Sequence, residues 1–190
     1  MDINSVSATP ILRDGSELHP DMFQAFWFCI TNWSLLVNDI YNEHHMAVKL
    51  SDHFSLKEAF RSSTANQYDI PNYPYSQDCN EVLFNLFFIG IGVIDPLSEL
   101  LHRPIVINSA YRCFELNDRV GGVPTSNHLV GAAVDIKCSD WSDREIAICR
   151  DFCREHSITF IHEGTWLHLD TRKYTHMDFI EFSDIHALLN

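Results

Sequence analysis

Basic side chains are scarce in this 190-residue chain: 13 Lys and Arg stand against 26 Asp and Glu, a formal net charge of −13. Binding nucleic acid through its phosphates needs clustered Lys and Arg. The few present are scattered, so DNA and RNA are poor candidates as partners. The same charge opposes simple electrostatic attachment to anionic lipid or to an anionic cell wall. An anionic substrate would have to be recognised by a local site, which a bound divalent cation and one well-placed Arg could provide. The Cys-x-x-Cys pair is also missing, although there are six cysteines (Cys29, Cys79, Cys113, Cys138, Cys149 and Cys153). A cysteine zinc knuckle is therefore not expected. The start Met1-Asp2-Ile3-Asn4-Ser5 lacks the basic residues and uninterrupted apolar run of a secretory signal. With nothing to indicate an oxidising compartment, the cysteines are expected to be free thiols. Cys149 and Cys153, four apart on a predicted helix, then pack as small apolar side chains. Internal repeats and low-complexity segments are lacking too.

What is present is enough apolar material for a core: 46% of residues are hydrophobic, with 13 Phe. The length fits one domain or one domain plus an appendage. Residues 1–50 read as an N-terminal helical extension and residues 51–190 as the main domain. Within the extension, residues 22–41 are rich in aromatic and aliphatic side chains, but Gln24, Asn32, Asn38 and Asp39 interrupt them, so no transmembrane segment is expected. Phe23, Phe26, Trp27, Ile30, Val37 and Ile40 fall near helical spacing and Pro20 suits a first turn, which predicts an amphipathic helix packed on the main domain, the alternative being an interface for a partner or a membrane surface. His44 and His45 sit near its end, where a helix dipole favours cations.

In the main domain, Ser55 and Glu58 form a capping-box pattern. Residues 66–78, with Pro71, Pro74 and three Tyr, predict an extended loop. Residues 80–102 predict an apolar helix disturbed at Asp95-Pro96, and Ile105, Val106 and Ile107 a strand. Residues 132–137 predict a strand with Val134 and Ile136 on one face and Asp135 on the other. Ser142 and Glu145 form a second capping box, opening a helix to about residue 155. Ile158–Glu163 and Trp166–Asp170 predict a hairpin around Gly164-Thr165, with Gly first as a type II′ turn prefers. Long helices with short, mostly antiparallel strands indicate an α+β fold, a small antiparallel sheet with flanking helices.

Three segments combine residues able to do chemistry: Ser126-Asn127-His128-Leu129-Val130-Gly131-Ala132-Ala133-Val134-Asp135, Glu163-Gly164-Thr165-Trp166-Leu167-His168, and Asn108-Ser109-Ala110-Tyr111-Arg112 with Asn117 following. In the predicted hairpin Glu163 faces Trp166 and Ile161 faces His168. Glu163 and His168 are then diagonal neighbours on one face, within about 7–8 Å. His162 points to the opposite face with Leu167 and Leu169 and reads as a packed or surface histidine. A carboxylate such as Asp135 in so apolar a strand is costly unless paired or metal-bound. His128, Asp135 and His168 form a three-ligand N/O set that leaves a fourth position for water, as catalytic zinc requires.

These strings resemble the zinc D-Ala-D-Ala carboxypeptidase family, the M15 peptidases, in particular its short members encoded by bacteriophages. The resemblance runs from about residue 50 to about 170 and also includes Phe54-Ser55-Leu56-Lys57-Glu58, Arg61-Ser62-Ser63-Thr64-Ala65 and Asp95-Pro96-Leu97. It implies a hedgehog-like fold, a Zn2+ cofactor on His128, Asp135 and His168, a catalytic base at Glu163, anion stabilisation by Arg112, and substrate binding by Ser126, Tyr111 and Trp166. The implied substrate is a peptidoglycan peptide, cut by a carboxypeptidase or endopeptidase. It further implies a lysis enzyme that stays in the host cytoplasm until another protein opens the membrane, then acts on the cell wall in the periplasm. A non-catalytic zinc-binding module of the same fold is the alternative. Two departures stand out: position 110 is Ala where the family usually has Gly, and residues 1–50 have no recognised counterpart.

Overall fold

The structure, a computed structural model, describes residues 49–74 and 79–171. The predicted helix over residues 22–41, His44, His45 and the tail from residue 172 lie outside the described residues. The elements run in the order β1 (Lys49–Ser51), β2 (Phe54–Ser55), α1 (Leu56–Phe60), α2 (Ser63–Tyr68), α3 (Cys79–Ile89), a π-helical turn (Gly90–Ile94), α4 (Asp95–Leu101), β3 (Ile107–Ser109), α5 (Phe114–Arg119), a 3-10 turn (Asn127–Val130), β4 (Ala133–Lys137), α6 (Asp143–Glu155), β5 (Thr159–His162) and β6 (Trp166–Asp170). β1 and β2 form a small antiparallel pair, and the other four strands form an antiparallel sheet in the order β3-β4-β6-β5. The architecture is α+β.

One face of the larger sheet is apolar. Val134, Ile136, Leu167 and Leu169 are fully buried there, beneath α3, α4 and α6. α3 is apolar on nearly every side because most of it is enclosed, and Leu83, Leu86 and Ile89 are fully buried. The run Glu81–Leu101 is long and apolar enough to cross a membrane by length and composition, but 61% of it is buried inside the fold, which makes it the core helix of this domain. Both capping boxes form: the Ser55 and Ser142 hydroxyls accept from the Glu58 and Glu145 amides, and each Glu reaches back to its cap. Hydrogen bonds from Ser142, reinforced by Arg103, pull the Glu145 carboxyl down to about 2. Cys113, Cys138, Cys149 and Cys153 are free thiols, and Cys149 and Cys153 pack in the core as expected. Their mutual hydrogen bond, with burial, pushes the Cys149 thiol up.

Three elements differ from the sequence expectation. The predicted loop over 66–78 begins only after Tyr68. Ser62 caps α2 by accepting from the Ala65 amide, and Asp69 ends the helix with left-handed backbone (φ 53°). β3 covers Ile107–Ser109 rather than 105–107, since pairing starts only where the Val106 carbonyl accepts from the Lys137 amide at 2.8 Å. The disturbance at Asp95-Pro96 is a widened turn rather than a break. Pro96 has no N–H to return to the preceding turn, and the Asp95 N–H bonds Gly90 five residues back. Gly90 lets this turn approach the β1–β2 connection, because a Cβ there would lie 2.8 Å from the Ser51 hydroxyl oxygen. Asp95 then accepts from the Ser51 hydroxyl at 2.8 Å and the His53 amide at 2.9 Å.

Candidate metal centre

Strand alternation builds the site. In β4 and β6 the residues between the buried aliphatics point to the opposite sheet face, which selects Asp135 and His168. The two are direct cross-strand partners, and Ser109 of β3 pairs with Asp135 on its other side. The row continues to Ile161 of β5, paired with His168. Ser109, Asp135, His168 and Ile161 thus cross the sheet on one face.

His128 is delivered by the 3-10 turn between α5 and β4. Gly131 ends that turn with φ +71°, and a Cβ there would lie 2.8 Å from the Val82 carbonyl oxygen. Only glycine permits both the left-handed backbone and so close an approach to α3. The His128 ring is buried. Its Nδ1 lies 2.5 Å from the Ala110 carbonyl, a contact that makes Nδ1 the donor and turns Nε2 into the site. Nε2 lies 3.3 Å from Asp135 Oδ1, and His168 Nδ1 lies 2.8 Å from the same oxygen. The other carboxylate oxygen, Oδ2, accepts from Arg112 Nη2 at 2.5 Å. Arg112 Nε donates to Ser109 Oγ at 2.9 Å, and the Arg112 amide donates to the His128 carbonyl at 3.0 Å. Burial alone would raise the Asp135 pKa, but its contacts with His128 and His168, with the positive charge of Arg112, hold it well below the usual carboxylate range. Burial draws the Arg112 guanidinium down from the usual arginine value, against the pull of Asp135.

Ligating atoms of His128, Asp135 and His168 all fall within 4.8 Å of one another. Tetrahedral zinc, with N and O ligands at about 2.0–2.1 Å, spaces neighbouring ligand atoms about 3.3–3.4 Å apart. The 3.3 Å between His128 Nε2 and Asp135 Oδ1 matches that spacing, while the 2.8 Å between His168 Nδ1 and the same oxygen is a hydrogen-bond distance that a bound ion would widen. The donor set of two imidazoles and a carboxylate, one imidazole with its tautomer fixed by a backbone carbonyl, suits the same ion.

The structure therefore brings Arg112, His128, Asp135 and His168 together. Glu163 and Trp166 sit at the end of the hairpin, closed by the Glu163 N–H on the Trp166 carbonyl at 2.9 Å, with Gly164 at φ +78°. The observed pairing of Ile161 with His168 puts Glu163 on the same sheet face as His168, as the predicted register has it, while His162 faces the other way and is exposed. Ser126 stands at the start of the 3-10 turn. Tyr111 lies in the core with its ring edge-on to Phe60.

Sequence reasoning missed the supports. The Asn72 amide donates to the Phe60 and Tyr111 carbonyls and its Oδ1 accepts from the Cys113 amide, which fixes the loop bearing Arg112. Asn127 donates to Asp170. Neither pair carries a pattern by which sequence spacing could reveal it. Asn117, included in the third segment, ties α5 to the following loop through the Val123 carbonyl.

An α+β domain with two histidines and a carboxylate converging beside an arginine is an arrangement that could hold a divalent metal ion. A family model described as Peptidase M15 matches residues 76–178, more than half of the chain and the whole of this centre. The chain belongs to the M15 peptidase family. No curated protein matches it.

Proposed function

We propose that this protein is a zinc-dependent peptidase that hydrolyses the peptides of bacterial peptidoglycan, of the D-Ala-D-Ala carboxypeptidase or endopeptidase type. Its fold is then that of the zinc D-Ala-D-Ala peptidases, hedgehog-like, and its setting phage lysis, with the enzyme reaching the wall from the host cytoplasm once the membrane is opened. The observation that carries the reading is the convergence of His128, Asp135 and His168 within 4.8 Å, in a chain that belongs to the M15 family.

His128, Asp135 and His168 would hold the metal. When bound, zinc supplies a Lewis acid that polarises a peptide carbonyl and makes water a stronger acid. Glu163, on the face of His168 but displaced along the hairpin, takes the proton of the attacking water and gives it to the leaving amine. Arg112 uses Nη2 on Asp135 and Nε on Ser109, which leaves Nη1 for a substrate oxygen, either the developing oxyanion or a terminal carboxylate. Trp166 and Ser126 are the substrate contacts of this reading, whereas Tyr111, expected to be a third, is buried with its ring against Phe60 and supports the Arg112 loop instead.

Incubation of the zinc-loaded protein with purified peptidoglycan, followed by mass spectrometry of the soluble products, tests this. Fragments with new peptide termini are expected, and their masses identify the bond cut. A protein that holds zinc and releases no such fragments is a non-catalytic zinc module.

A further inference from the structure

Two side chains outside the proposed ligand set connect the segments that carry the two histidines. Asn127 immediately precedes His128 in the 3-10 turn, and Asp170 follows His168 by two residues in β6, on the same strand face. The Asn127 Nδ2 amide donates to Asp170 Oδ2. We propose that Asn127 and Asp170 form a positioning pair that sets the spacing between His128 and His168, and through it the zinc affinity of the centre. The inference rests on the metal reading above and assigns Asp170 a role other than proton transfer.

Backbone bonds already hold these segments together. The Ala132 amide donates to the Asn127 carbonyl at 2.9 Å, the Thr171 amide to the Ala132 carbonyl at 2.8 Å, and Ala133 pairs with Asp170 in the sheet. Those bonds fix the chain path but leave the side-chain face free to adjust. The Asn127–Asp170 bond locks that face, one residue from one histidine and two from the other. A charged acceptor makes it stronger than a neutral amide pair. The orientation of Asn127 is determined as well, since a flipped amide would turn its oxygen onto the carboxylate. The Asn127 Oδ1 is buried with no hydrogen-bond partner among the described residues. The fold bears that cost to keep the amide on Asp170. Outer groups that orient metal ligands typically change metal affinity by about 10–100-fold when removed.

The test is zinc affinity by competition with a chelator, with thermal unfolding of the metal-free protein measured alongside. Asn127→Ala leaves the charge unchanged, so its effect reports the link itself. Expected are zinc binding weaker by about 10–100-fold in Asn127→Ala and in Asp170→Ala, a double variant no worse than the weaker single, and an intermediate value for Asp170→Asn, which keeps an acceptor oxygen. A purely structural bond would lower the metal-free unfolding temperature and leave zinc affinity alone. Native zinc affinity in Asn127→Ala, or losses that multiply in the double variant, would overturn the pair. If the native protein itself binds no zinc, the metal reading falls first and the pair falls with it.

Discussion

Glu163 and Asp170 both lie on the site face of the hairpin, one on each side of His168, and both could serve as a base by position alone. Their surroundings separate them. Asp170 is half-buried and accepts from Asn127, whereas Glu163 is exposed at the hairpin end. Glu163→Gln keeps the size and much of the hydrogen bonding, so it should fold and hold zinc while turnover of peptidoglycan peptides falls by about 10²–10⁴. Asp170→Asn should show its loss in zinc affinity, with turnover at saturating zinc falling far less than in Glu163→Gln. Turnover and zinc content measured in both variants check this. Collapse of turnover in Asp170→Asn with near-normal Glu163→Gln would move the base to Asp170, and zinc loss in Glu163→Gln would make Glu163 a ligand. Glu163 and His168 were legible on one face because strand alternation and a two-residue turn leave few choices, whereas the pairing of Asp135 with His168 across β4 and β6 was not, because no turn joins those strands. The contact of Arg112 with Asp135 was not, because a loop residue's reach depends on packing that no local pattern encodes.

At the level of elements, the 3-10 turn holds His128 in place, and Gly131 holds the turn. An alanine there must adopt φ near +71° and bring its Cβ against the Val82 carbonyl. The left-handed backbone alone costs about 1–2 kcal/mol, and relief of the clash would push the turn away from α3. Gly131→Ala should therefore lower the denaturant midpoint and weaken zinc binding together. An unchanged midpoint would mean that the turn relaxes freely. The two capping boxes and the hairpin were readable because each is a local code of two to four residues. The start of β3 was not, because it depends on where Lys137 reaches Val106 across the sheet. The α2 helix went unread because Ser62 caps it without an acidic partner three residues on. At Asp95-Pro96 the sequence marks the disturbance, but the π turn reflects tertiary demand, with Asp95 swung round to bind the β1–β2 connection.

Taken whole, the molecule carries a net charge of −13 yet concentrates two histidines and an arginine around one carboxylate. That local arrangement, rather than the overall field, is what an anionic peptide terminus would meet. The centre also draws on β3, the 3-10 turn, β4 and β6, so a bound ion would join segments far apart in the chain. Metal removal should lower the unfolding temperature, because binding to the folded state alone is stabilisation. The central claim, that His128, Asp135 and His168 are a zinc site, is tested most directly by elemental analysis of the purified protein beside His168→Ala. About one zinc per chain in the native protein and its loss in the variant are predicted. A native protein without zinc, or a His168→Ala variant that keeps its full content, would contradict the account.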